Sequence, residues 1–103
     1  MTAELPIVCS LTDGELQERR KNVLGAIAES LIDFEELADG FRYRFPAEDA
    51  VLQNLMSVIN LERKCCPFLN FKLNLEAGKD FVSLDLTGRQ GTKEAISSLF
   101  DWN

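Results

Sequence analysis

The sequence predicts an α+β fold in which an antiparallel sheet of four to five strands carries three helices on one face, a two-layer sandwich. Three observations lead there. Apolar residues alternate strictly with polar ones in two late segments, they recur at three- and four-residue steps in two earlier ones, and turn residues punctuate the order strand, helix, hairpin, helix, hairpin, helix.

Residues 7–11 read as a first short strand, with Ile7, Cys9 and Leu11 on one face and Val8 and Ser10 on the other. Thr12 followed by Glu15 is a capping box, and Leu16, Val23, Leu24, Ile27 and Leu31 then build one buried stripe of a helix running to about residue 30. The basic run Arg19, Arg20 and Lys21, with Glu15 and Glu18 nearby, is expected to be a solvated face carrying ion pairs. Residues 34–37 and 41–45 flank Ala38, Asp39 and Gly40, a hairpin in which Gly40 is available for a positive φ. Pro46 stops that strand, and Glu48 and Asp49 open a second helix that reaches about residue 65. Leu69, Phe71, Leu73 and Leu75 point inward against Asn70, Lys72 and Asn74. Val82, Leu84 and Leu86 repeat the pattern against Ser83 and Asp85, with Gly78, Lys79 and Asp80 as the turn. Thr87 and Gly88 are expected to end this strand and cap a last helix, whose buried side is Ile96, Leu99 and Phe100.

With 46% hydrophobic and 27% charged residues, the 103 residues suffice for one core, so 1–103 is expected to be a single domain. A net charge of −6 argues against nucleic acid as a partner, because that affinity comes from clustered Lys and Arg. The start of the chain has an acidic residue and Pro6 where a signal peptide needs a basic region and an apolar run, and no apolar run approaches a membrane span. A cytoplasmic protein with free thiols is the expectation, since three cysteines cannot pair completely within one chain.

The chain has no histidine, which removes Ser/His/Asp and Cys/His triads. Its chemistry is therefore sought at the adjacent Cys65 and Cys66, where the second helix ends. Glu62 lies three and four residues before them, on the same helix face. Pro67 disfavours helical geometry at Cys66, so the two sulfurs are expected to diverge, one toward the core and one toward a cleft. Arg63 and Lys64 are the cations expected either to pair with the negative end of the helix or to stabilise a sulfur anion nearby. A soft ion such as Hg(II), As(III) or Cu(I) suits Cys65 and Cys66, with Cys9 from the first strand and Glu62 as further ligands. Structural zinc is a poorer match, because it wants four ligands. A Cys65–Cys66 disulfide is not expected, since adjacent Cα atoms stand only ~3.8 Å apart.

Two other segments carry less. Gly88 to Glu94, GRQGTKE, has the wrong spacing for a P-loop, and its glycines are read as capping and close packing. Glu35, Glu36 and Asp39 are read as surface carboxylates.

The segments ERKCCPFLNF and LDLTGRQGTKE, together with Cys9, Leu11, Thr12 and DGFRYRFP, resemble a small, largely uncharacterised bacterial family. Its members share an E-R-x-C-C-x-F-L-x-F helix exit and an L-x-L-T-G-x-x-G-T-K-E strand-to-helix junction. The resemblance carries over Glu62, Arg63, Cys65 and Cys66, and some relatives occur alongside heavy-metal or mercury resistance. The leading functional expectation is a thiol-based protein binding a soft metal ion or a small thiol-reactive ligand. The alternative is a non-catalytic interaction module, homodimeric in one version, whose cysteines only pack. A cysteine-dependent enzyme cleaving carbon–metal bonds is a third reading, with no catalytic residue assigned.

Overall fold

The computed structural model describes residues 14–100. The expected strand at 7–11 with Cys9, and the Thr12 cap, lie outside the described residues. The described chain runs α1 (Gly14–Ala28), β1 (Asp33–Leu37), β2 (Gly40–Pro46), α2 (Asp49–Cys65), β3 (Asn70–Leu75), β4 (Phe81–Thr87) and α3 (Thr92–Leu99). Among the described residues the four strands form one open antiparallel sheet in the order β1-β2-β4-β3, so each hairpin contributes one central and one edge strand.

The two-residue period sorts the sheet into two faces. Tyr43 stands opposite Phe34 and Leu84, and Leu84 opposite Leu73, while Phe41 pairs with Leu86 and Leu86 with Phe71. This face meets Leu24 and Ile27 of α1, Val51, Leu55 and Val58 of α2, and Ile96 and Phe100 from α3 and its end in one buried cluster. The other face carries Arg42, Arg44, Asp33, Glu35 and Asp85, joined by ion pairs. The long stems of the arginines explain why Ser83 and Asp85, opposite Arg44 and Arg42, are buried although they point away from the core.

Three local expectations change. Gly40 does not adopt a positive φ; it opens β2, and a Cβ there would stand 1.8 Å from the Leu86 carbonyl oxygen, so close strand approach is what demands glycine. The expected turn at Gly78 is present, with φ 80° where the second hairpin reverses. The last helix is capped by Gly91 at φ 97° rather than at Thr87 and Gly88, because β4 pairs through Thr87 and residues 88–91 intervene. Leu75 keeps its predicted face but is 56% exposed, since it ends an edge strand.

A buried thiol, carboxylate and guanidinium cluster

α2 is the element that builds the site. Its buried residues Val51, Leu55, Val58, Glu62 and Cys65 follow three- and four-residue steps, so a carboxylate and a thiol occupy the last positions of an apolar stripe. The helix carries its hydrogen bonding one residue beyond its end, where the Cys66 N–H donates to the Glu62 carbonyl at 2.6 Å. Pro67 follows, and the Leu69 N–H closes a tight turn on the Cys66 carbonyl at 3.1 Å.

The expected divergence of the sulfurs does not occur. Cys66 holds φ −120° and ψ 73°, and both sulfurs stay beside the carboxylate: the donor atoms of Glu62, Cys65 and Cys66 all lie within 4.8 Å of one another. All three residues are 0% exposed, so neither cysteine faces a cleft. The Cys66 thiol donates to Glu62 Oε2 at 3.4 Å. Cys66 is a free thiol and Cys65 is disulfide-bonded, where the sequence led to an expectation of free thiols.

The cation paired with Glu62 is Arg20 of α1, while Arg63 and Lys64 lie in the last turn of α2, at the negative end of that helix. Arg63 is exposed and donates to Asn60, and Lys64 is exposed as well. Arg20 Nε approaches Glu62 Oε1 to 2.5 Å, a close ion pair, and its guanidinium carbon lies 5.6 Å from the centroid of Phe100. The basic run thus splits: Arg19 and Lys21 face solvent while Arg20 turns inward. Its position gave the signal, since Arg20 stands four residues before Leu24 and on the stripe that continues to Ile27.

Burial governs the electrostatics. It raises the Glu62 carboxyl above its ordinary range, with the charge and hydrogen bonding of Arg20 pulling the other way. Burial also pushes the Cys66 thiol up to about 12, and the neighbouring Glu62 charge adds to the rise. Cys66 is therefore a protonated hydrogen-bond donor at neutral pH, not a standing thiolate. Three donor atoms within 4.8 Å are close enough to hold one metal ion.

The remaining sequence candidates have structural duties. Lys93 of the GRQGTKE segment pairs with Glu36 at 2.6 Å, Glu35 with Arg44 at 2.6 Å, and a Cβ on Gly88 would meet Thr92 Oγ1 at 2.5 Å. Among the described residues no helix is long and apolar enough to cross a membrane. Comparison with family models, with curated proteins and with solved structures finds no match.

Proposed function

We propose that the reduced protein binds one soft heavy-metal ion, of the Hg(II), As(III) or Cu(I) class, through Cys65 and Cys66 with Glu62 as the third donor. The observation that carries this reading is the convergence of two sulfurs and a carboxylate within 4.8 Å at the end of one helix. Thiolates select soft ions, and three donors fall short of the four that structural zinc requires. Charge balance favours a divalent ion within that class. Two thiolates neutralise it, and the Glu62–Arg20 pair is already neutral, so the buried cluster keeps no net charge. Cys65 enters the site only after reduction of its disulfide, which makes binding a property of the reduced chain. The resemblance to a family with relatives near heavy-metal resistance agrees with the reading.

The test is titration of the fully reduced chain, freed of reductant without air, with Hg(II) or As(III). About one ion per chain is expected, with sharp weakening in Cys65→Ser and in Cys66→Ser. Equal binding by a chain lacking all cysteines overturns the reading.

A second reading, structural cysteines in an interaction module, draws support from the complete burial of both residues and from the raised thiol. It requires that native Cys66 resist a thiol reagent until the whole domain unfolds.

A further inference from the structure

We infer that α1 is a cover over the thiol cluster, held shut by Arg20, and that it opens by local unfolding to admit ligands to Cys66. As the regulation of the proposed ion site this gating rests on that reading, but access is measurable without any ion.

Glu62, Cys65 and Cys66 have no exposed surface, so a ligand reaches them only when a neighbour moves. Within the cluster it is the Arg20 side chain that meets solvent, at 15% exposure against 0% for Glu62. Arg20 also ties three parts together, since it lies on α1, contacts Glu62 of α2 and stacks near Phe100 at the end of α3.

Among the described residues α1 is otherwise held mainly by one neighbour. Its main contacts are with α2, whereas the strands hold one another and α3 packs on β2 and β4. Its described buried residues are Leu24 and Ile27, with Val23 and Ala28 partly buried, while Gln17, Glu18, Arg19, Lys21 and Asn22 face solvent. A 15-residue helix is marginal without tertiary packing, and this one carries an exposed Gly25 in its interior. Elements with few buried apolar contacts open at low free energy, well below global unfolding.

The ion pair is suited to this use. In the closed state both charges are desolvated and held by each other; on opening both regain water, which offsets the lost attraction. A packed apolar plug of the same size has no such compensation, because opening would expose its surface to water.

The experiment follows the rate at which a maleimide labels Cys66 in the native full-length chain, with the labelled peptide identified by mass spectrometry. Gly25→Ala adds a methyl with nothing within 4 Å and strengthens α1 away from the cluster. It is expected to slow labelling about two- to fivefold. Arg20→Gln combined with Glu62→Gln removes the latch without leaving a lone buried charge, and is expected to speed labelling about tenfold. Labelling should also depend on urea less steeply than global unfolding does. Rates unchanged in both variants, or a urea dependence equal to that of global unfolding, overturn the inference. Hg(II) titration of the reduced Gly25→Ala chain separates the two readings. Slower uptake at unchanged stoichiometry supports the cover, and uptake as fast as in the parent chain counts against it. Altered labelling with no ion bound at all leaves the cover standing and removes the ion.

Discussion

The outer face of the sheet and the α1–α2 junction both join arginine to carboxylate, in opposite surroundings. On the sheet, Arg42 grips Asp85 through two parallel hydrogen bonds of 2.8 and 3.0 Å, and Arg44 reaches both Asp33 and Glu35. Glu35 is also within 3.7 Å of Arg42, so the charges overlap and water stands ready to replace any one of them. At the junction, Glu62 has no exposed surface, and its oxygens are divided between Arg20 and the Cys66 thiol. The contrast shows that burial, more than geometry, decides what an ion pair does: the first set solubilises a face and keeps strand register, while the second makes each partner indispensable to the other.

The largest effect expected from that contrast is at Arg20. Arg20→Met should leave Glu62 buried without its counter-charge and cost about 3–5 kcal/mol, read from the urea midpoint at neutral pH. Adding Glu62→Met should restore most of the loss, because the cost lies in the orphaned charge rather than in a missing attraction. A single substitution as mild as one on the sheet face would break the comparison.

Alkaline pH gives the next effect. The Cys66 thiol is raised to about 12 in the folded chain, above the ~8.5 of an unfolded cysteine. Between those values the unfolded chain has lost the proton that the folded chain keeps, so stability present below about pH 8.5 declines as pH rises toward 12, by about 1.4 kcal/mol per unit. Tyrosine and lysine titrate in the same range, and the measurement is therefore the difference between the parent and Cys66→Ala. A difference independent of pH would mean that the thiol is not confined.

Cys66→Ala should itself cost about 1–3 kcal/mol at neutral pH, since it strips Glu62 Oε2 of the donor seen at 3.4 Å. Cys66→Ser should cost less, because a hydroxyl can donate in place of the thiol. If serine proves the worse of the two, the thiol matters as an apolar filler and its hydrogen bond contributes little.

Much of this was legible in the sequence. Period-two alternation places β3 and β4, and the three- and four-residue steps of α2 bring Glu62 to Cys65 and Cys66. What escaped depends on contacts between distant segments. Arg20 sits on the stripe of α1, but the same spacing serves a solvated arginine unless a buried acid waits across the helix pair. Gly40 is explained by the Leu86 carbonyl on a neighbouring strand, and local turn chemistry alone suggested a positive φ instead. The bonding of Cys65 is likewise a tertiary matter, on which residue spacing is silent.

The smallest effect tests the other side of the contrast. Lys93 Nζ lies 2.6 Å from Glu36 Oε2, a shorter contact than most ion pairs, and it links α3 to β1 across the fold. Distance alone would rank it beside the Arg20 pair. Yet Glu36 is 68% exposed and Lys93 29%, so solvent screens the attraction, and holding two long side chains in one geometry costs entropy. Lys93→Met should therefore shift stability by only about 0–1 kcal/mol, and the shift should shrink further in 1 M salt, where screening acts within ~3 Å. A loss that survives high salt would mean that length, and not burial, ranks the ion pairs of this protein.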